Sequence, residues 1–524
     1  MANKNLFQTI RGALIPQATT RNDAGGAAYD LSPKAALARM AVTGCFGRTY
    51  YASPELQLDR LLELVPKVDT DFVAQTALYA RRKGYMKDMP ALLCAMLSTR
   101  DLGRLAEIFP QVIDNGKMLR NFVQMLRSGV TGRKSLGSAP KRLVRQWLKR
   151  ATVRQLLDAS VGNAPSLADV VKMVHPRPAD PAREAFYAWL LGKPWNADAL
   201  PETLRHYEAW KLSREGDVPD VPFQMLTALE LGQKEWDAIA VTASWQTTRM
   251  NLNTFLRHGV FRDQGMVYLI AKRLADPERI RRARVFPYQL LVAYLNAGKD
   301  LPQQIREALQ DAMETAIGNV PEIDGKVVVC PDVSGSMQSA VTGYRKGATS
   351  KVRCIDVAAL VAAALLRKNR GARVLPFERD VVDVDLNPRD SVMTNATKLA
   401  KIGGGGTNCS APLAKLNAEK ATPDLVIFVS DNESWADPRA SRGTAVMAEW
   451  EKLKNRNPKA RLVCVDLVPN TSTQAPDRKD ILNIGGFSDT VFDLVSAFAA
   501  GADGSDHWIR EIENQPLNQR VKIA

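Results

Sequence analysis

The hydrophobic pattern of this 524-residue chain changes its period once, near residue 321. From about residue 34 to residue 318, apolar residues recur every three or four positions in one segment after another, as in TDFVAQTALYARR and MLRNFVQML. Short breaks with Asp, Pro or Gly separate these segments, and a polar arm or loop, residues 1–33, precedes them. The pattern predicts an α-solenoid of packed helix pairs, with an irregular all-α enzyme as the alternative.

Beyond residue 321, short apolar runs alternate with helical segments. The predicted strands lie in KVVVCPDVSGSM, ARVLPFERDVVDVDL, PDLVIFVSDNES, RLVCVDLV and ILNIGGF, and the predicted helices include CIDVAALVAAALLRK and TAVMAEWEKL. This alternation is typical of a doubly wound, Rossmann-like α/β domain with a parallel sheet. We therefore predict two domains, a helical one over residues 1–320 and an α/β one over residues 321–524.

Oxygen-bearing side chains gather where two of the predicted strands end. Asp332, Ser334 and Ser336 form a D-x-S-x-S run, Thr407 follows four glycines, and Asp431 closes the strand LVIFVSD. Ligands of doubly wound domains bind at the carboxyl ends of the strands, and oxygen donors without a soft ligand favour Mg²⁺. One alternative is that these groups only cap turns and helices. A P-loop is the other, but GGGGTN lacks the lysine that a P-loop requires.

The basic charge of the chain is concentrated in its N-terminal part. Residues 321–524 contain 27 Lys and Arg against 25 Asp and Glu, whereas the whole chain has a net charge of +15, so residues 1–320 carry +13. A field of this sign attracts polyanions, and nucleic acid in particular. The alternative is an ordinary soluble protein with solvated lysine faces.

Several N-terminal segments combine basic with aromatic or helix-forming residues. Arg48 lies in GRTYY, Lys134 lies in GRKSLG, and the helix SAPKRLVRQWL carries Lys141, Arg142 and Arg145. Lys141 and Arg145 are four residues apart and share a helix face, with Ser138 as the expected N-cap residue. Such a helix can place cations along a phosphate backbone, although a solvated helix face is an equally simple interpretation.

These motifs, in this order, are similar to the TROVE region of bacterial-type Ro proteins. The similarity is carried by GRTYY, FVAQTALYARR, GRKSLGSAPKRLVRQWL, VKMVHPRP and RVFPYQLL. The D-x-S-x-S run, Thr407 and Asp431 resemble the metal-ion-dependent adhesion site of von Willebrand A domains. The resemblance extends from about residue 20 to the end of the chain.

The resemblance implies a ring of HEAT-like helical repeats closed by a von Willebrand A-like domain. It also implies that the outer surface of the ring binds small noncoding Y RNAs and that its central hole takes single-stranded ends of misfolded RNAs. The family's basic helix maps onto Lys141, Arg142 and Arg145. Its histidine maps onto His175, which follows Val174 where the family has Ser, and which can stack on a base or bond a phosphate. A 3′-exonuclease (polynucleotide phosphorylase) or RNA-repair proteins are the implied partners.

Three functions follow from different features of the sequence. The first is a non-catalytic RNA-binding scaffold in RNA quality control or processing, the second is an adhesion or assembly module that uses the metal site, and the third is a metal-dependent nuclease. We favour the first, because the sequence shows no Ser/His/Asp set, acid/base pair or two-metal cluster. The six scattered cysteines without a C-x-x-C pair, and the absence of a long apolar stretch or secretory signal, predict a cytoplasmic protein without a membrane partner. We also expect the protein to be a monomer.

Overall fold

The structure is a computed structural model that describes residues 15–44, 46–283, 285, 287–320, 322–344, 352–438, 440, 443–488, 490–502 and 504–518. Arg284 and Phe286 of the RVFPYQLL motif lie outside the described residues. The helices of the N-terminal region are α1 (Pro33–Thr43), α2 (Pro54–Leu64), α3 (Thr70–Arg82), α4 (Asp88–Arg100), α5 (Leu102–Val112), α6 (Gly116–Arg127), α7 (Ser138–Arg150), α8 (Val153–Ser160), α9 (Leu167–Val174), α10 (Pro181–Leu190), α11 (Glu202–Ser213), α12 (Phe223–Thr227), α13 (Gln233–Thr242), α14 (Trp245–Met250), α15 (Leu252–Arg257), α16 (Gln264–Ala275), α17 (Pro277–Ala283), α18 (Pro287–Asn296) and α19 (Gln303–Ala316).

Local side-chain chemistry sets where these helices begin. At the start of α3 the Asp69 carboxylate accepts from the Phe72 amide at 2.7 Å, and α3 coincides with the predicted segment TDFVAQTALYARR. The basic helix α7 differs from its prediction by one residue at its start. Gly137 occupies the cap position with φ of 70°, which a glycine adopts without strain, so Ser138 is the first helical residue and not the cap.

The helices pack in chain order into an apolar core. Helix α4 contacts α3, α5 and α6, and it buries Leu93, Cys94 and Leu97 completely. Farther along the chain, α16 packs against α19 and buries Ile270 and Leu274. This serial packing confirms the predicted helical solenoid.

The C-terminal region is the predicted doubly wound domain. Its sheet contains β3 (Val327–Pro331), β4 (Arg373–Val374), β5 (Leu425–Ser430), β6 (Arg461–Asp466) and β8 (Ile481–Gly485), and its helices are α20 (Cys354–Lys368), α21 (Val392–Ala400), α22 (Ala411–Ala418), α23 (Ala445–Arg456), α24 (Thr490–Ala499) and α25 (Gly504–Glu513). The strand order is β4-β3-β5-β6-β8, and every neighbouring pair is parallel. The chain runs from β3 to β4 on one side and then to β5 on the other, so the switch point lies between β3 and β5.

One or two strands were predicted in ARVLPFERDVVDVDL, and only the first part of the segment pairs with the sheet. Arg373 and Val374 form β4 beside β3, and the Leu375 and Phe377 amides continue the pairing by donating to the Val329 and Pro331 carbonyls at 2.8 and 3.1 Å. The chain then turns back on itself. The Val382 amide donates to the Pro376 carbonyl at 2.8 Å, which closes a turn over the polar residues Glu378 and Asp380. The valines that follow have a high preference for strands, but the turn prevents them from continuing β4.

The polar N-terminal segment forms strands where an arm or loop was predicted. Its two strands are β1 (Thr20–Arg21) and β2 (Ala27–Asp30), and β2 pairs antiparallel with β7 (Ser472–Thr473) of the C-terminal domain. The turn between β1 and β2 needs Gly25 at a φ of 86°. We call residues 15–30 the N-terminal arm, and it lies on the C-terminal domain.

Both ends of the helical region contact the C-terminal domain, which closes the predicted ring. At the start of the region, α1 contacts β8 and α25, and α3 contacts α25, where the Trp508 indole donates to the Tyr79 hydroxyl at 3.2 Å. At its end, α18 contacts α20 and α19 contacts α21. Within the part of the chain that the structure describes, every helix is too short or too polar to cross a membrane.

Candidate metal centre and nucleic-acid interface

The five predicted metal ligands meet at the switch point of the sheet. Asp332 directly follows β3, and Asp431 directly follows the neighbouring strand β5. Ser334 and Ser336 lie on the tight turn after β3, and Thr407 lies on the loop before α22. The carboxyl ends of β3 and β5 therefore bring together residues that are far apart in the chain, as expected for this type of sheet.

Short hydrogen bonds connect the oxygens of the candidate centre. The Thr407 hydroxyl donates to the Ser334 hydroxyl at 2.9 Å, and the hydroxyls of Ser334 and Ser336 lie 3.3 Å apart. The Ser334 amide donates to Asp332 at 2.9 Å, and the Ser430 hydroxyl donates to the other oxygen of Asp332 at 2.7 Å. The three hydroxyls and two carboxylates thus face one small volume.

The two carboxylates of this centre are buried without a cationic side chain. Asp332 is 0% exposed and Asp431 is 2% exposed, and within the described residues neither forms a salt bridge. Burial, with the negative charge of Asp431 near by, raises the pKa of Asp332 to about 7, and burial also raises the pKa of Asp431. Burying a carboxylate without a partner costs several kcal/mol, so this arrangement fits a cation.

The donor set determines which kind of cation fits. In the described part of the chain, no three His, Cys, Asp or Glu side chains group into a metal site. The candidate centre instead offers two carboxylates and three hydroxyls, all hard oxygen donors. Mg²⁺ is bound in proteins by a few such oxygens and keeps part of its water, so the donor set fits Mg²⁺ better than zinc.

Three residues that the sequence did not assign also surround this centre. Ser430 holds the Asp332 carboxylate, as described above. Glu433 is 1% exposed and accepts from the Ala24 amide of the N-terminal arm at 3.1 Å. Tyr51 lies in the connector between α1 and α2, residues 46–52, where burial and the nearby charge of Asp431 raise its pKa. Ser430 had a local signal, as the neighbour of Asp431, but Tyr51 and Glu433 had none.

The basic helix α7 has one apolar and one cationic face. Leu143, Val144 and Leu148 are buried against the helical core. The helix contributes five basic residues and no acidic one, and these are Lys141, Arg142, Arg145, Lys149 and Arg150. Arg142 and Arg145 are exposed and Lys141 is partly exposed. Lys134 is also exposed, in the loop that leads into α7.

The structure brings His175 to this helix but places Arg48 elsewhere. The Arg145 guanidinium donates to the carbonyl of Val174, the last residue of α9, and the exposed His175 follows it with a φ of 49°. Arg48 is exposed in the connector, where its backbone pairs antiparallel with Tyr344 of the C-terminal domain. Arg48 is therefore held against the C-terminal domain, whereas the cations of α7 lie on the helical region.

Comparison with known proteins finds relatives of the whole chain. Residues 326–499 match the model of the Ro60 vWA domain. The chain is 26% identical over 540 residues to "RNA-binding protein RO60" of Deinococcus radiodurans, covering 95% of this chain and 99% of the relative. It is 24% identical over 249 residues to "RNA-binding protein RO60" of Caenorhabditis elegans, covering 46% of this chain and 38% of the relative.

The fold agrees with that of a solved relative. The crystal structure of the Deinococcus radiodurans RO (RSR) protein superposes with a TM-score of 0.61 at 23% sequence identity, covering 90% of this chain and 100% of that one. At this identity the match concerns the fold, which includes both the helical region and the C-terminal domain. By its C-terminal domain model, its similarity over nearly the full length and its fold, the chain is similar to Ro60 proteins.

Proposed function

We propose that this chain is a non-catalytic RNA-binding protein that binds RNA through its helical region. The observation that carries the proposal is helix α7, which presents five basic side chains and no acidic one on a surface of a region with a charge of +13. Two curated relatives named as RNA-binding proteins support it. Lysine and arginine on one face of a helix neutralise phosphates along a backbone and release counterions.

The contacts around α7 suggest a path for the RNA. Lys134 lies in the loop before α7, and Lys141 and Arg142 lie near the start of the helix. Arg145 links this helix to the end of α9 at His175. An exposed imidazole at a helix end can stack on a base or bond a phosphate. We assign phosphate binding to the four cations and a base or phosphate contact to His175.

The resemblance to Ro proteins supplies the finer part of the proposal. Small noncoding Y RNAs are proposed to bind the outer surface of the ring, and single-stranded ends of misfolded RNAs its central hole. The protein then acts in the cytoplasm as a monomeric scaffold in RNA quality control or processing. A 3′-exonuclease such as polynucleotide phosphorylase, or RNA-repair proteins, are the proposed partners.

Purified protein should bind RNA without cleaving it. We expect an absorbance ratio at 260 and 280 nm that reveals copurifying RNA, and filter binding of labelled stem-loop and single-stranded RNA that weakens as salt rises. Incubation of the same RNAs with Mg²⁺ should leave them intact, because the sequence shows no Ser/His/Asp set, acid/base pair or two-metal cluster. Sequencing of the copurifying RNA identifies the ligand.

Two outcomes of this experiment would favour the other functions. Wild-type protein without RNA affinity at physiological salt would indicate an adhesion or assembly module that uses only the metal centre. Cleavage that disappears in Asp332→Ala or Asp431→Ala would indicate a metal-dependent nuclease. Loss of cleavage in these variants would also show that the activity does not come from a contaminating nuclease.

We further propose that Asp332, Ser334, Ser336, Thr407 and Asp431 hold one divalent cation, most simply Mg²⁺. The two buried carboxylates without a cationic partner among the described residues support this assignment. When bound, the cation would offer a coordination position to an acidic group of a partner, as in von Willebrand A domains. The protein's own residues supply the oxygens and exclude bulk water from the carboxylates.

Asp332→Ala should abolish Mg²⁺ binding in isothermal titration calorimetry. The substitution removes a carboxylate that two hydroxyl-bearing residues hold in place, Ser334 and Ser430, and the remaining donors carry only one charge. Asp383→Ala is the matched control, since this exposed carboxylate belongs to the same domain and lies outside the centre. Equal Mg²⁺ affinity of wild type and Asp332→Ala would mean that the cation binds at another site.

A further inference from the structure

The loop that follows β5 holds two of the proposed ligands. We call residues 431–436 the β5 loop. Its Glu433 amide donates to the Asp431 carboxylate at 3.3 Å, and its Trp435 amide donates to the Thr407 carbonyl at 3.0 Å. The β5 loop therefore contains one proposed ligand, Asp431, and fixes the backbone of another, Thr407.

The turn of the N-terminal arm lies on this loop. We call residues 22–26, which join β1 and β2, the arm turn. The Asn22 side-chain amide donates to the Ser434 carbonyl at 2.8 Å, and the Ala24 amide donates to the Glu433 carboxylate at 3.1 Å. Both loop residues are buried. The arm turn thus contacts the β5 loop directly beside the groups that hold Asp431 and Thr407.

The fit between the arm turn and the β5 loop is close. The Asn22 side-chain oxygen accepts from the Gly26 amide at 2.7 Å, which turns the side-chain nitrogen of Asn22 toward Ser434. Gly26 approaches Ser434 so closely that a Cβ atom on Gly26 would overlap the Ser434 carbonyl oxygen. A side chain at this position would therefore push the arm turn and the β5 loop apart.

The residue between these two contacts binds the helical region. Asp23 accepts two hydrogen bonds from the Arg60 guanidinium of α2, at 2.8 and 2.5 Å. Such paired, charge-assisted bonds fix orientation as well as distance. Three consecutive residues of the arm turn therefore connect the first helices of the ring with the β5 loop, because Asn22 and Ala24 contact the loop and Asp23 contacts α2.

We infer that the arm turn positions the β5 loop for cation binding and that, through the Asp23–Arg60 ion pair, the cation affinity depends on helix α2. The inference rests on the proposed metal site. Asn22 and Asp23 are positioning residues, since they act on the ligands Asp431 and Thr407 through the β5 loop. Groups that orient metal ligands in this way raise metal affinity, because the ligands are already in place when the ion arrives.

The dependence is reciprocal. If the docked arm turn strengthens cation binding by some factor, cation binding must strengthen the docking of the arm turn by the same factor. The helical region carries the proposed RNA-binding surface, and the C-terminal domain carries the metal centre. The arm turn is then a joint through which the state of one region can influence the other.

Gly26→Ala tests the contact between the arm turn and the β5 loop. In the full-length protein we expect this variant to bind Mg²⁺ about tenfold more weakly in isothermal titration calorimetry, because the added methyl group displaces the arm turn. Gly25→Asn is the matched control and should bind as wild type does. A Cβ atom on Gly25 has nothing within 4 Å, and asparagine tolerates its positive φ.

Reversal of the Asp23–Arg60 ion pair tests the dependence on α2. Asp23→Arg and Arg60→Asp should each weaken Mg²⁺ binding, because each places two like charges together and undocks the arm turn. A direct effect of charge on the cation predicts the opposite for Arg60→Asp, whose added negative charge would strengthen binding. The variant with both substitutions restores the ion pair in reverse and should recover the wild-type affinity. Failure to recover it would overturn the dependence on α2.

Hydrogen exchange of the arm turn measures the reciprocal effect. In wild type and in the reversed pair, saturating Mg²⁺ should slow the exchange of amides in residues 22–26, and in Gly26→Ala this slowing should shrink or vanish. Wild-type Mg²⁺ affinity and wild-type slowing in Gly26→Ala would overturn the inference and leave the metal site in place. A wild-type protein that binds no Mg²⁺ would remove both the metal site and the inference.

Discussion

Alanine at both Lys141 and Arg145 is expected to weaken binding of a structured RNA by roughly two to six kcal/mol, taking about 1–3 kcal/mol for each lost contact. The two side chains lie four residues apart on the cationic face of α7, opposite its buried leucines. The slope of log affinity against log salt concentration should also become less steep, by about 0.7–0.9 for each lost phosphate contact. Filter binding of a labelled stem-loop RNA over a range of KCl concentrations measures both effects.

The control for this variant is a pair of lysines on the C-terminal domain. Lys452→Ala with Lys459→Ala removes the same charge from exposed positions on the C-terminal domain and should leave RNA affinity nearly unchanged. Because Arg145 also holds the Val174 carbonyl, the melting temperature of the double variant is compared with that of wild type. A folded Lys141/Arg145 variant with wild-type affinity and slope would place the RNA site on another surface.

Arg39→Met is expected to lower the free energy of unfolding by about 3–5 kcal/mol, the cost of leaving a buried charge without its partner. Arg39 on α1 donates to the Asp466 carboxylate at 2.7 Å, to the Asn470 side chain at 2.9 Å and to the Ser472 carbonyl at 3.0 Å. Both side chains of the ion pair are 1% exposed. Urea denaturation followed by circular dichroism measures the loss.

The pH dependence of this variant identifies the buried carboxylate as the cause. Burial raises the pKa of Asp466 to about 7 although Arg39 lowers it, so removal of Arg39 can only raise it further. When the pKa of a carboxyl group is higher in the folded state than in the unfolded state, the free energy of unfolding falls as pH rises from the unfolded pKa through the folded pKa. The free energy of unfolding that is lost in Arg39→Met should therefore be smallest at pH 5 and largest at pH 8.

A second substitution provides the control for Arg39→Met. Asp466→Asn in the same chain removes the unpaired charge and keeps an oxygen that can accept from the Val468 amide. The double variant should recover part of the lost free energy and most of the pH dependence. A loss that is the same at pH 5 and pH 8, and that Asp466→Asn does not reduce, would assign the effect to packing alone.

Features with a local or periodic cause could be predicted from the sequence. The segment TDFVAQTALYARR became α3 residue for residue, because its spacing and its Asp69 cap act within one helix. The strands of the sheet followed from apolar runs buried on both faces. The structure also brings Asp332, Thr407 and Asp431 together, since parallel strands present their carboxyl ends at one edge.

Features that depend on distant partners could not be predicted. The N-terminal arm has the sequence of a polar loop. It nevertheless forms strand β2, because this segment pairs with β7 near the other end of the chain. Tyr51 carries no sequence mark that connects it with Asp431. The segment after Val374 has strand-like residues, but a turn over Glu378 decides its conformation. In each case tertiary contacts override the local preference.

The closure of the ring by the first helix imposes an order on biosynthesis. Arg39 leaves the ribosome 427 residues before Asp466, a delay of roughly 20 to 85 s at about 5–20 residues per second. During that time α1 lacks β8 and α25, which cover part of its surface in the finished protein. On a messenger with several ribosomes, the α1 of one nascent chain meets C-terminal domains completed on chains ahead of it. Exchange of arms and first helices between sister chains is therefore the misassembly to which this topology is most exposed.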